Sequence, residues 1–239
     1  MTGPTTIGTL AAIWRYPVKS MAGERLSSTD VTLQGIAADR RYAYVQTASR
    51  SPFPWLTGRE MPAMLRYQPQ WRDGSGDPSL WVCTPSGESL EIGSDALRDE
   101  LAQASGREIH LHANHRGSYD AAAITFMANA TVEGIAQASG TPPEPGRFRM
   151  NFYVATADTT PFQENAWVGK SLRVGETVRV ALTERDQRCV MVTVAPHGGE
   201  PVPRVLRAIA QGNEACAGVY GSVLVAGRVR EGDAVVLEG

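Results

Sequence analysis

The sequence predicts a mainly β protein with a few helices. Glycine (24) and proline (15) interrupt the chain often, and between them lie short β-branched or alternating runs instead of long stretches of 3.6-residue period. Many short strands with turn signals at close spacing point to barrels. Nine runs qualify as strands: residues 7–14, 42–46, 80–84, 109–112, 152–156, 177–183, 190–194, 223–225 and 235–237. Helical periodicity is confined to three places. Residues 94–105 open on Ser94, a side chain that caps a first turn, and close at Gly106; residues 129–139 close at Gly140; residues 203–211 start at a proline and close at Gly212. No internal repeat interrupts this order.

Size and charge narrow the function classes. The 239 residues suffice for one large domain or two small ones. The polar, Gly-containing span 110–120 and the Pro-rich loop 141–146 place a boundary near residue 112, giving segments 1–112 and 113–239. A net charge of −2 argues against nucleic acid or an anionic membrane as whole-surface partners. No apolar run approaches the roughly 20 residues that cross a bilayer. The first ten residues have neither a basic nor an apolar leader region, and three widely spaced cysteines make no metal knuckle, so a cytoplasmic protein is the expectation.

Charge is nevertheless uneven. Residues 1–70 hold eight bases against four acids, 71–118 hold four against eight, and 147–207 hold nine against six. The two basic stretches could converge on one anion. Tyr16-Pro-Val-Lys19-Ser20 ends in an ammonium and a hydroxyl, a donor pair that suits a phosphate oxygen and equally an ordinary strand exit. Asp39-Arg40-Arg41 and Thr57-Gly58-Arg59 each add a guanidinium to the same half, and singly each reads equally as a surface ion pair. In Arg147-Phe-Arg149-Met-Asn151 the spacing sets Arg149 and Asn151 on one face of a strand start, where a cation and an amide grip one polar ligand; a charged strand start is the plainer reading. Cys189, with Arg185 and Arg188 nearby, is either a favoured thiolate, hence nucleophile or soft metal ligand, or buried filler. Cys83 alternates with Trp81 and reads as core, and Cys216 is open. His110 and His112 share a strand face but lack an acid or cysteine at ligand spacing, which favours surface decoration. GxSxG, HExxH, Walker and GxGxxG motifs are absent, so the usual hydrolase, kinase and dinucleotide readings lose support.

In order and spacing these stretches resemble the MOSC-domain family in its two-part form, an N-terminal β-barrel region followed by the MOSC domain, as in the amidoxime-reducing component and its bacterial relatives. The resemblance runs from about Ile7 to Val236. It rests on Tyr16–Ser20, Gly35–Arg40, Phe53–Arg59, Arg147–Asn151, Phe162–Trp167, Arg188–Pro196 and the closing stretch Gly218–Asp233. It implies a β-barrel MOSC fold with a β-rich N-terminal subdomain over 1–112 and the MOSC domain over 113–239. It also implies the molybdenum cofactor, a molybdopterin with a terminal phosphate, with Cys189 as catalytic metal ligand. Lys19, Ser20, Arg40, Arg59, Arg149, Asn151 and Arg188 would surround the pterin and phosphate, with Asn129 and Thr131 matching a polar pair more loosely. The family is further described as pyridoxal phosphate-binding.

The implied activity is an oxidoreductase that reduces small N-hydroxylated molecules. The chain carries no four-cysteine cluster of its own, so electrons are expected from a separate donor protein, a reductase or a ferredoxin- or cytochrome-type carrier. Two other readings stay open: a sulfur or cofactor carrier using Cys189 as a persulfide, and a diverged branch without molybdenum. The second is motivated by departures from the family pattern, namely Met150 for a proline, Asn165 for an acid, Ala195 for an aspartate and Asp186 for a cysteine.

Overall fold

The computed structural model describes residues 3–72 and 79–239. Its strands, in chain order, are β1 (Thr5–Arg15), β2 (Glu24–Leu26), β3 (Ser28–Thr32), β4 (Gly35–Ile36), β5 (Tyr42–Gln46), β6 (Gln68–Arg72), β7 (Ser79–Cys83) and β8 (Ser89–Glu91), then β9 (Ile109–Ala113), β10 (Ile124–Ala128), β11 (Phe152–Thr156), β12 (Ser171–Val174), β13 (Val178–Gln187), β14 (Cys216–Val225), β15 (Gly227–Arg230) and β16 (Ala234–Glu238). Three α-helices, α1 (Asp95–Ser105), α2 (Asn129–Ser139) and α3 (Pro203–Asn213), and four short 3-10 turns complete it. The mainly β expectation holds.

Hydrogen bonding runs β11-β10-β14-β13-β12-β16-β1, and β1 pairs back onto β11, so seven strands close on themselves; β2 adds outside β1. Closure removes the sheet edges that would otherwise template aggregation. It also needs Gly8 on β1, where an added Cβ would lie 2.1 Å from the Ala155 carbonyl of β11. Side chains alternate about the wall. Ile124, Phe126 and Ala128 of β10 and Phe152 and Val154 of β11 point inward, and join Leu10, Ile13, Val180 and Val219 in one apolar core. Met127 and Tyr153 from the same strands face outward and pack with Val132 and Ile135 of α2 and Val205 and Ile209 of α3.

The N-terminal segment divides its allegiance. Its first strands belong to the barrel, whereas Val18, Met21, Tyr44, Leu56, Met64 and Leu80 form a separate core closed by Leu97 and Leu101 of α1. Helix α1 starts and stops where its sequence says: the Ser94 hydroxyl accepts the Leu97 N–H at 3.3 Å, and Gly106 takes a left-handed φ of 65°.

Four expectations are corrected. Residues 190–194 are β-branched but carry a 3-10 turn, Val190–Thr193, because its bonds run three residues back, with Val192 N–H on the Cys189 carbonyl at 3.2 Å. Arg149 and Asn151 do not share a strand face: β11 begins at Phe152, and Arg149 has a φ of 56°. Gly212 does not close α3; the helix runs to Asn213 with Glu214 left-handed, while Gly212 lies where a Cβ would come 3.2 Å from the Phe162 ring. Eight strands, β2, β3, β4, β6, β8, β10, β12 and β15, lie outside the nine expected runs; in β10 all five residues are buried and the period-two signal is lost.

Candidate functional site: an arginine-lined pocket beside Cys189

On the outer face of the barrel wall, where residues 16–59 cross the start of β11 and the end of β13, lies a cavity of about 220 Å³. Lys19, Arg40, Arg59, Arg147, Arg149 and Arg188 line it, against Asp120 and Asp186. Six cations to two carboxylates leave a surplus that an anion would neutralise.

The floor is a stack. Tyr16 is fully buried, with the Arg149 guanidinium 4.3 Å and the Arg40 guanidinium 4.9 Å from its ring centroid. Buried Asp39 organises it: one oxygen accepts the Tyr16 N–H at 2.7 Å, and the other takes the Asn151 amide at 3.0 Å and pairs with Arg40. Arg40 in turn donates to the Arg149 carbonyl at 2.7 Å, and Arg149 to the Met21 carbonyl at 2.7 Å. Burial pushes the Tyr16 hydroxyl up to about 12 and pulls the Arg149 guanidinium down to about 10. Arg149 Nη2 and Arg188 Nε are buried and make no hydrogen bond among the described residues. Ser20, Arg40 and Arg149 have φ values of 64°, 48° and 56°, a strained region for residues with a Cβ that persists where function or surrounding structure demands it.

Lys19 reaches the pocket from just beyond β1, its backbone N–H bonded to the Tyr42 carbonyl at 2.8 Å. Its ammonium donates to the Ser118 carbonyl at 2.7 Å and to Asp120 at 2.5 Å, beneath the Phe53 ring. Burial lowers the Lys19 pKa. Burial also opposes ionisation of Asp120, yet the Lys19 charge holds that carboxyl below its ordinary value. Arg59 stands exposed at the rim, 5.2 Å from the Phe53 centroid.

Cys189 is a free, half-buried thiol at the start of the Val190–Thr193 turn. Before it, Arg188 pairs with Asp186 and donates to the Phe148 carbonyl at 2.6 Å. Asp186 is 4% exposed, and burial raises its carboxyl above the usual range. Cys216 is buried, Cys83 half-buried. Among the described residues no three His, Cys, Asp or Glu side chains form a metal cluster.

Of the residues nominated from sequence, Lys19, Ser20, Arg40, Arg59, Arg149, Arg188 and Cys189 line this one cavity. Asn129, Thr131 and Asn151 do not. Asn151 is fully buried and holds Asp39, Thr125 and the Trp14 carbonyl, so it acts on the pocket through Asp39. Thr131 donates to buried Glu164 at 2.7 Å and accepts the Phe162 N–H, and Asn129 is the first residue of α2, outside the lining. Asp120, Asp186, Tyr119, Tyr220 and Arg147 also line the pocket without having been nominated: Arg147 lies in the Arg147–Asn151 stretch, Asp186 stands out only as a departure from the family pattern, and Tyr119, Asp120 and Tyr220 are far in sequence from every nominated residue. His110 and His112 stay apart from the pocket, with His112 against Trp55 at 5.5 Å.

Fold and pocket together define a closed β-barrel protein with a cation-lined pocket that includes a free thiol. More specifically, the chain belongs to the MOSC-domain family: the MOSC domain model matches residues 107–236 and the MOSC N-terminal beta barrel domain model residues 7–130. That family is generally associated with binding the molybdenum cofactor. The crystal structure of the YuaD protein from Bacillus subtilis aligns over 100% of this chain and 100% of its own, with TM-score 0.53 and 13% identity, which supports the fold. YiiM from Geobacillus stearothermophilus (21% identity, TM-score 0.40) and YiiM from Escherichia coli (16%, 0.35) each cover 49% of this chain and 54% of their own. No curated protein matches the sequence. No helix among the described residues is long and apolar enough to cross a membrane.

Proposed function

We propose that this pocket holds the molybdenum cofactor and that the protein reduces small N-hydroxylated compounds with electrons from a separate donor protein. The observation that carries the reading is the buried, unbonded Arg149 Nη2 in the same cavity as a free thiol. A buried guanidinium nitrogen without an acceptor is costly, and an anion's oxygens relieve that cost. A thiolate suits a soft metal. Both halves of the donor set therefore fit a phosphate-bearing pterin with a metal at its other end.

In this reading Arg40, Arg149 and Lys19 bind the anionic end, Ser20 adds a hydroxyl, and Arg188 with Cys189 holds the metal end. When bound, the cofactor supplies two-electron removal of an oxygen atom. The protein's part is orientation and protection. Asp39 and Asn151 hold Arg40 in place, the Tyr16 ring lies against both the Arg40 and Arg149 guanidinium groups, and Phe53 and Met191 add apolar surface to the lining. Asp186, whose carboxyl burial raises above its ordinary value, pairs with Arg188 and so fixes the residue before Cys189.

Protein from cells that make the cofactor should convert an N-hydroxylated amidine to the amidine with a reduced viologen dye as electron source, and Cys189→Ala should not. Turnover by the purified chain with NADH alone would overturn the separate donor. A persulfide on Cys189 in protein without molybdenum would favour a sulfur carrier instead. Full activity in Cys189→Ala would remove the central residue.

A further inference from the structure

The chain on both sides of Cys189 is held by one short stretch, Glu144 to Arg149. On the flank after the thiol, Arg147 Nη1 donates to the Val192 carbonyl at 3.1 Å and the Thr193 carbonyl at 3.0 Å, the end of the turn that starts at Cys189. A turn this short leaves its last carbonyls without internal donors. Nη2 of the same guanidinium pairs with Glu144, which fixes the fork from behind. On the flank before the thiol, the Phe148 carbonyl accepts from Arg188. The next residue is Arg149, whose guanidinium lies in the anion pocket. Three consecutive residues thus touch the turn after Cys189, the residue before it, and the anion site.

Arg147 is 6% exposed, and one planar fork serves two carbonyls and a carboxylate, a set of bonds that a lysine ammonium does not reproduce. The platform under it is firm. Tyr153 donates its hydroxyl to the Pro145 carbonyl, and a Cβ on Gly146 would come 3.1 Å from Pro196, so the 3-10 turn Pro145–Arg147 packs against the chain just after the Val190–Thr193 turn.

We propose that Arg147, backed by Glu144, is a positioning residue for Cys189, setting the spacing between the thiol and the anion-binding arginines. The inference rests on the cofactor reading for its purpose but not for its test, which uses cofactor-free protein. In full-length Arg147→Met, amide hydrogen exchange across residues 190–194 and the plateau rate of iodoacetamide alkylation at Cys189 should both rise about tenfold, as expected when bonds to a charged group are lost and a segment opens locally. Alkylation of Cys83 should not change. Arg147→Lys should restore part of the protection, and Glu144→Gln should give a smaller rise of about threefold. Wild-type rates at Cys189 in Arg147→Met, or an equal rise at Cys83, would overturn the proposal, the second because it signals general loosening. Should Arg147→Met fail to fold, unchanged rates in both Arg147→Lys and Glu144→Gln overturn it equally. Failure of the wild-type chain to load molybdenum would sink the cofactor reading and leave these rates interpretable.

Discussion

Inside the barrel, Leu10, Ile13, Phe126, Phe152, Val180 and Val219 are buried with no charged side chain among them; a few ångströms away, on the outer face of the same wall, a single cavity gathers six cations and two carboxylates. The first region gains stability from burying apolar area and is indifferent to ligands. The second is costly to the empty protein, since Arg149 is desolvated and one of its nitrogens is unbonded. Three of the seven left-handed non-glycine residues among those described, Ser20, Arg40 and Arg149, fall on the pocket; Ala38, Phe162, Glu214 and Ala215 lie outside its lining. The contrast teaches that the barrel carries the excess stability that lets a strained, like-charged pocket exist on its surface.

That contrast can be broken by substitution. Phe126→Ala, which removes a ring 5.0 Å from that of Phe152, should cost about 3–5 kcal/mol in urea unfolding. Molybdenum retained per folded chain should not change. Arg149→Met should do the reverse: retained molybdenum falls at least roughly tenfold through loss of charge-assisted bonds, while the unfolding midpoint stays level or rises. A clear drop in its stability would mean the pocket is not the strained region described here.

Glu164 sharpens the boundary between the regions. It is fully buried, bonded to Thr131 and the Gly218 N–H, and burial raises its carboxyl from 4.5 to about 6. Below pH 4.5 it is protonated in both folded and unfolded chains. Between 4.5 and 6 the unfolded chain sheds its proton first, so stability declines as pH rises, by about 2 kcal/mol in all. Glu164→Gln should flatten unfolding free energy over that window; an unchanged slope would place the titration elsewhere. Smallest is Asp120→Asn at the pocket mouth. Its side chain is 54% exposed, so loss of the Lys19 pair should cost under about 1 kcal/mol and the difference should fade in high salt.

The same division explains what was legible in the sequence. Strands with one wet face, such as Val178–Gln187, announced themselves by alternation, and helices α1 and α2 by periodicity and their closing glycines. Strand β10, buried on both faces, did not. The β-branched run after Cys189 was misleading because its bonds run three residues back within the turn and its last carbonyls meet Arg147 instead of a neighbouring strand. Most pocket arginines were visible as short motifs. The long-range contacts were not: Lys19 meets Asp120 from 101 residues away, and Asn151 meets Asp39 from 112, separations to which no local pattern reports. Asn151 itself was nominated as a ligand contact and is instead a strut, a distinction that depends on which way one amide faces.

The central claim is that the arginine-lined cavity and Cys189 together hold a molybdenum-bearing anion. Its most direct test is elemental analysis of the full chain purified from a host that makes the molybdenum cofactor, with Cys189→Ala and Arg149→Met alongside. Near one molybdenum per wild-type chain, lost in both variants while each remains folded, is the predicted result. A wild-type chain without molybdenum, or variants that retain it in full, would contradict the account.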